Sequence, residues 1–327
     1  RNQVKLNKLT TEAAALDSAI QAQKLQEQIA TLYIQICYST EAINVNKESY
    51  KSSLENEERG KEMVKIGKMS QADLAQLTAQ SAQDEYSIVE SESNVKNYKR
   101  QLKELLQITN DEAFDIVVPT ASDAQALGTI PSLNSVYASA LDTRPEIKSY
   151  QNMIDQSDLN IAIAKAGKLP TISANAGIST STTSMNKDGW GSQIKQNFGV
   201  GGGISVSIPI CDNRATKTAI NKANIQKQSS MLDLKDQQTK LYSTIENYWL
   251  QANTNQSQFK AAKTSTESAK TSYDLLSEQF KLGLKNIVEL RTGKDNLLKA
   301  QQNELQSKYL TLLNMGMLNF YKTGRVE

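Results

Sequence analysis

The stretch Lys65-Ile66-Gly67-Lys68-Met69-Ser70-Gln71-Ala72-Asp73-Leu74 is answered 216 residues later (Gly67 to Gly283) by Lys281-Leu282-Gly283-Leu284-Lys285-Asn286-Ile287-Val288-Glu289-Leu290. The register holds outward from both glycines. Upstream, Lys24, Leu25, Ile29, Tyr33 and Gln35 fall on Lys240, Leu241, Ile245, Trp249 and Gln251; downstream, Leu102 falls on Leu318. Identity is low, but the spacing is kept across residues 24–106 and 240–322. The chain therefore carries a duplicated long unit with one glycine near the middle of each copy.

The arms of that unit are helical. Ile29, Ile36, Ile43, Tyr50 and, after Glu57, Val64 return every seven residues, with Leu25 and Leu32 as the partner set, which is a coiled-coil seam. The seam fades among Glu55, Glu57, Glu58 and Arg59, then resumes as Leu74, Ser81, Ile88, Val95 and Leu102, flanked by Leu77, Tyr98 and Leu105. Gly67 fits the left-handed residue that ends a helix. Ser70 fits the next N-cap, and Asp73 stands at the capping-box position, as Asn286 and Glu289 do in the second copy. The pattern predicts one helix up to Gly67 and a second running back to about Gln107, with arms of roughly 60–100 Å at 1.5 Å per residue.

Composition agrees with long helices. The 37 basic and 35 acidic residues leave a net charge of +2, which points to no nucleic-acid partner. Aromatics make up 6% and prolines number five, so narrow seams and uninterrupted helix are expected rather than a thick core. There is no histidine, which removes the commonest general base and metal ligand. The glycine run Gly199-Val200-Gly201-Gly202-Gly203 precedes a strand pattern, not a helix, so it lacks the context of a phosphate loop. No enzyme activity, cofactor or metal is expected. Cys37 and Cys211 read as one disulfide or as two free, partly buried thiols. No run of 18 apolar residues occurs, so no transmembrane helix is expected. Arg1 opens directly on a polar helical pattern without a signal peptide, which reads as the internal start of a truncated or processed chain.

Between the copies the pattern changes. Ile116-Val117-Val118-Pro119 reads as a short edge strand or an extended connector, and residues 133–168 as a helix interrupted near Thr143-Arg144-Pro145. The period then becomes two. Ile172, Ala174, Ala176 and Ile178 alternate with Thr171, Ser173, Asn175 and Ser179. After a polar loop with Asn186, Asp188, Gly189 and Gly191, residues Phe198, Val200, Ile204, Val206, Ile208 and Ile210 alternate with Gly199, Gly201, Gly203, Ser205 and Ser207. Two strands of ten to thirteen residues, apolar on one face and small or polar on the other, suit a membrane β-barrel hairpin. The other reading is a hairpin packed on a soluble core. Trp190 reads equally as an interface anchor or an ordinary loop residue, and Tyr248 and Trp249 as packing along the seam.

Several strings now carry a resemblance. Thr143-Arg144-Pro145-Glu146-Ile147 with Ala162 and Ala166, Leu169-Pro170, the strand exit Ile208-Pro209-Ile210-Cys211-Asp212-Asn213-Arg214, and the duplicated glycine tract together resemble the TolC-like outer-membrane efflux proteins over nearly the whole chain. The resemblance implies a mainly α fold with a small β part: long antiparallel helical hairpins of the coiled-coil α-barrel type plus one membrane-type β-hairpin. On that plan residues 1–107 are the first-repeat helical hairpin and 108–132 an equatorial connector. Residues 133–168 are the leading helix of the second repeat, 169–211 the barrel hairpin, 212–322 the second helical hairpin and 323–327 a tail. The family plan carries two β-hairpins per protomer; this chain shows one, and its missing counterpart would lie before Arg1.

The resemblance also implies a function: a trimeric, passive outer-membrane conduit with a periplasmic helical tunnel, part of a tripartite efflux or type I secretion system. Its partners would be a periplasmic adaptor (membrane fusion) protein, an inner-membrane pump and outer-membrane lipid, with a homotrimer at full length. Ile66, Gly67 and Lys68 with Leu282, Gly283 and Leu284 become adaptor-contact tips, although glycine ends a helix in any helical hairpin. Glu289 takes the place of a constricting acid, Lys285 of a latch base, and Asp73 of the acid in the other hairpin that the base reaches. The same carboxylates also serve as ordinary helix caps. Arg144, Pro145, Leu169, Pro170 and Pro209 carry the family motifs. Two positions depart from the pattern: Thr292 stands where many members have a second acid, and Phe280 where some have a hydrogen-bonding tyrosine. A non-membrane scaffold or filament of helical hairpins is the rival expectation, since self-associating coiled coils explain the seams equally well.

Overall fold

The computed structural model describes residues 1–109, 114–119 and 121–325. Helix α1 covers Asn2–Lys65 and α2 covers Gln71–Leu105; α3 is the single turn Asp123–Ala126. Then come α4 (Leu133–Thr143), α5 (Pro145–Ala166), strand β1 (Thr171–Ser179), α6 (Trp190–Gln196), β2 (Gly199–Ser207), α7 (Ala215–Lys281) and α8 (Ile287–Thr323). They gather into two units. One holds Arg1–Leu16 and Lys148–Asp236; the other holds Asp17–Ile147 and Gln237–Glu327.

In the larger unit both helical hairpins turn in the same way. Gly67 has φ +70° and Gly283 φ +76°, the left-handed region that a Cβ disfavours. The Gly67 N–H donates to the Val64 carbonyl and Lys68 N–H to Met63; Gly283 N–H donates to Phe280 and Leu284 N–H to Gln279. Each pair of bonds is a Schellman closure, which satisfies the carbonyls left over at a helix end. Past the turns, Ser70 Oγ accepts from the Asp73 amide, and Asn286 with Glu289 forms a full capping box.

The seam of α1 is not the apolar row that the sequence suggests. Ile36 is buried, but so are Ser39, Asn46, Ser53 and Gly60, the heptad continuation of Leu25 and Leu32. Small residues there let the arms approach, and their polar groups find partners across the gap. Asn46 Nδ2 donates to Ser91 Oγ (2.8 Å), and Ser81 and Thr78 donate to the Glu57 carboxylate (2.5 and 3.2 Å).

Near each turn a glycine lies hard against a leucine of the facing arm. A Cβ on Gly60 would lie 2.6 Å from Leu77 Cδ1, and one on Gly293 would lie 2.6 Å from Leu276 Cδ1. Under the repeat register Gly60 corresponds to Leu276, and Leu77 to Gly293. The same leucine-on-glycine contact is thus built twice with its partners exchanged between arms. Leu77 also joins Tyr273, Phe280, Ile287 and Leu290, flanked by Met69 and Leu297, in an apolar cluster that unites both hairpins below their turns. Helices α3 and α4 pack along α8. Residues 116–119 form no strand; the rest of the expected connector over 108–132, and the tail over 323–327, lie partly outside the described residues.

In the smaller unit β1 and β2 pair antiparallel in a two-stranded sheet. The register sets Ile172 opposite Val206, Ala174 opposite Ile204 and Ile178 opposite Val200; Thr171, Ser173, Asn175 and Gly177 face Ser207, Ser205, Gly203 and Gly201. All apolar side chains therefore share one face. Each strand has nine residues, shorter than the ten to thirteen expected, because pairing stops before Ile208-Pro209. The loop between them holds the short helix α6, which its polar composition did not suggest. Both cysteines are free, and Cys211 is exposed rather than partly buried.

The exchanged contact yields a test. Gly60→Leu alone overpacks the first hairpin and should cost about 1–3 kcal/mol. Adding Leu77→Gly installs the second hairpin's arrangement and should recover most of that loss in a chemical-denaturation series. A double variant no more stable than the single would show that the exchange is incidental.

Candidate functional site

Three groups of residues stand out in the larger unit: the turns, a buried charge below them, and an arginine at the α4–α5 junction. At the turns, Ile66, Lys68, Leu282 and Leu284 are exposed beside their glycines, and Val288 is exposed on the first turn of α8. A helix end needs no apolar side chain in water, so this cluster is surface beyond what turning requires.

Lys285 Nζ meets Glu289 Oε1 at 2.5 Å within its own hairpin, and Glu289 Oε2 also accepts from the Asn286 amide. Its bond to Lys285 first, and the Asn286 amide second, hold the Glu289 carboxyl below its ordinary range. Asp73 accepts from Ser70 Oγ at 2.7 Å. Within one chain Lys285 is thus engaged by Glu289, and Asp73 by its own cap. Phe280 sits in the apolar cluster, almost fully buried. Thr292 returns its hydroxyl to the Val288 carbonyl.

Below the turns lies a group that sequence reasoning missed. Lys294 of α8 pairs with Asp84 of α2, donates to Ser53 Oγ of α1, and reaches the Ser49 carbonyl at 2.8 Å. Both charged side chains are almost wholly enclosed, 7% and 5% exposed. Burial pulls the Lys294 ammonium below its ordinary value, and Asp84 works against that pull. Tyr273 of α7 adds a second bridge, its hydroxyl 2.8 Å from Ser52 Oγ and 3.4 Å from Asn56 Nδ2. A signal was present in the sequence. Asp84 continues the heptad of Leu77, and Lys294 follows Ile287 and Leu290 at helical spacing, so opposite charges occupy two apolar seams.

The Arg144 side chain is buried between α1 and the end of α8. Its guanidinium grips Glu146 through Nε (3.1 Å) and Nη2 (2.8 Å), reaches Glu27 at 3.5 Å, and lies over the rings of Tyr321 and Phe320 at 4.4 and 5.2 Å. Pro145 is buried and starts α5. Leu169, Pro170 and Pro209 are exposed at the ends of the β-hairpin in the other unit. On that hairpin every residue of both strands except Gly199 is exposed, including Ile204 at 79%. Trp190 is exposed as the first residue of α6. No helix among the described residues is long and apolar enough to cross a membrane, and no group of three His, Cys, Asp or Glu is placed to hold a metal.

Residues 136–315 match the family model described as outer membrane efflux protein. Among curated proteins, the toxin and drug export protein A of Aggregatibacter actinomycetemcomitans is 23% identical over 295 residues, covering 87% of this chain and 60% of that protein. The outer membrane efflux protein BepC of Brucella suis is 23% identical over 262 residues, 80% of this chain and 54% of its own length. The chain thus spans somewhat over half of these relatives. Among solved structures, the CmeC outer membrane channel of Campylobacter jejuni superposes with a TM-score of 0.77 at 18% identity, covering 98% of this chain and 68% of that one.

Glu289 gives a direct check on the turn chemistry. Its depressed pKa means that the Lys285 contact helps the fold above the ordinary glutamate range and is lost as pH falls through the lower, folded value. Carbon-13 titration of the side chain should show Glu289 deprotonating below the ordinary glutamate range. Lys285→Ala should raise it toward the ordinary glutamate value. A value unmoved by that substitution would assign the shift to the helix cap alone.

Proposed function

The chain belongs to the outer membrane efflux protein family, and from that premise we propose that its protein is the outer-membrane channel of a tripartite efflux or type I secretion system. The protein works as a passive conduit: three copies at full length share a barrel in the outer membrane and a helical tunnel in the periplasm. A periplasmic adaptor opens it, an inner-membrane pump drives and selects the cargo, and no catalytic step belongs to the channel.

The observation that carries this reading is the strand register. Pairing Ile172 with Val206, Ala174 with Ile204 and Ile178 with Val200 collects the apolar side chains on one face, as contact with an apolar solvent requires, while the other shows only Ser, Thr, Asn and Gly. Those side chains are exposed, not packed on a core. In hydrocarbon the two outer strand edges must also be paired, since each bare N–H or C=O there costs several kcal/mol. Further strands from other hairpins and other copies meet that need; a filament of helical hairpins would have no use for such a face. The apolar turns Ile66, Leu282 and Leu284 supply the surface for the adaptor. Glu289, Lys285 and Asp73 supply the charges of a gate, which threefold repetition would turn into rings of carboxylate that favour cations.

Two measurements test the proposal on the protein at its full natural length. Ile204→Lys places a charge on the lipid face, at a cost of about 2–4 kcal/mol near the midplane, and should abolish recovery in the outer-membrane fraction. Ser205→Lys, one residue away on the lumen face, should assemble normally and shift ion selectivity toward anions. Equal behaviour of the two variants would remove the membrane reading. In planar bilayers Lys285→Ala should raise the leak current of the closed channel; an unchanged current would leave Lys285 only the ion-pair partner of Glu289.

A further inference from the structure

The repeat exposes one place where the two hairpins do not treat equivalent positions alike. Lys294 corresponds to Thr78, and Asp84 to Ala300. Thr78 turns back to Glu57 inside its own hairpin, and Ala300 is simply buried. In the actual partners both positions carry charge, of opposite sign, and the pair crosses from the second hairpin to the first. Around it, Lys294 engages α1 at Ser49 and Ser53 while Tyr273 engages Ser52 and Asn56. All four long helices therefore meet polar partners over one stretch, about 20 Å from the turns at 1.5 Å per residue.

Between this stretch and the turns the hairpins touch through Leu77, Phe280, Ile287 and Leu290 and through one long, exposed hydrogen bond, Arg59 Nη2 to the Lys281 carbonyl at 3.4 Å. Apolar contact is non-directional, so such side chains can slide over one another with little loss. A buried ammonium with three oxygen partners cannot, because each bond has a direction and an unmatched charge there has no water to turn to. Any relative movement of the two turns must shear the apolar cluster while this point stays fixed.

We propose that Lys294 and Asp84, with Ser49, Ser53 and Tyr273, form a fixed pivot that ties the two helical hairpins of one chain together and confines tip movement to the segments beyond it. The proposal rests on the channel reading for its consequence, the current, but not for its structural content. The pivot sets how far the turns can part: with it intact they swing about a short lever, and with it cut the hairpins separate along a longer one.

The test uses the protein at its full natural length in lipid, reading amide exchange by peptide and current in parallel. In the unaltered protein, amides over 49–57, 81–88 and 290–298 should exchange roughly ten-fold more slowly than those over 61–70 and 279–288. Exchange as fast at the pivot as at the turns overturns the proposal without any variant. Asp84→Asn and Lys294→Met should each raise exchange from the pivot outward to the turns, leave residues 136–147 and 309–321 at their original rates, and raise the closed-state current several-fold. Lys294→Arg, which keeps the charge, should restore part of both. A uniform rise that includes 136–147 and 309–321 indicates ordinary destabilisation and counts against a pivot, as does raised exchange with unaltered current. If the unaltered protein passes no current, the channel reading fails, while the exchange contrast and its response to Asp84→Asn still decide the pivot.

Discussion

Helices this long and this poor in apolar residues hold together only if their backbones come close. A hairpin arm that buries Ser39, Asn46, Ser53 and Gly60 along its seam gains little from apolar area. It gains from van der Waals contact at short range and from polar groups satisfied across a narrow gap. The leucine-on-glycine contacts at Gly60 and Gly293 mark that closeness most sharply. Everything else in the larger unit follows from it: the turns must be tight enough to bring the arms back at that spacing, and polar groups in the seam must find partners or remain dry and unpaired.

The hairpin of the smaller unit answers a different solvent. Its strands do not close on a core, and on the proposed channel reading their alternation separates two environments, hydrocarbon and water. Most of the glycines lie on the small, polar face: Gly199, Gly201 and Gly203 lie opposite Ser179, Gly177 and Asn175, and a lumen lined by such small groups would stay wide. One chain thus uses two strategies for poor cores: close packing with polar pairing in the helices and, on that proposal, an external apolar solvent for the strands.

Much of this was legible in the sequence. The 216-residue register located both turns, because the closing glycine, the cap and the carboxylate three residues on form a local code that needs no tertiary information. The alternation from Thr171 to Ser207 gave the strands and their faces for the same reason, although Pro209 and the break at Ile208 shortened them. The α1 seam was less legible. Periodicity draws the eye to Ile29, Ile36 and Ile43, whereas the residues that pack tightest are small and polar and look like surface. Helix α6 was invisible, since seven residues with only Trp190 and Ile194 apolar carry too little period to read. The candidate gate charges were named from position in a resemblance, and the geometry of one chain adds only that Lys285 and Glu289 already satisfy each other.

The duplication is most informative where it fails. Equivalent positions inherit the same packing demand, so a substitution that merely keeps the fold should preserve the contact, as the exchange of Gly60 and Leu77 for Leu276 and Gly293 does. Lys294 and Asp84 do the opposite. Where the other copy has Thr78 and Ala300, they introduce two charges into a dry seam and connect different hairpins. A buried ion pair is a weak source of net stability, because desolvation consumes most of what attraction returns. Its distinctive physical property is direction: it fixes which helix meets which, and at what height. Toward the turns the hairpins meet mainly through apolar side chains, and direction is the property that the proposed pivot requires.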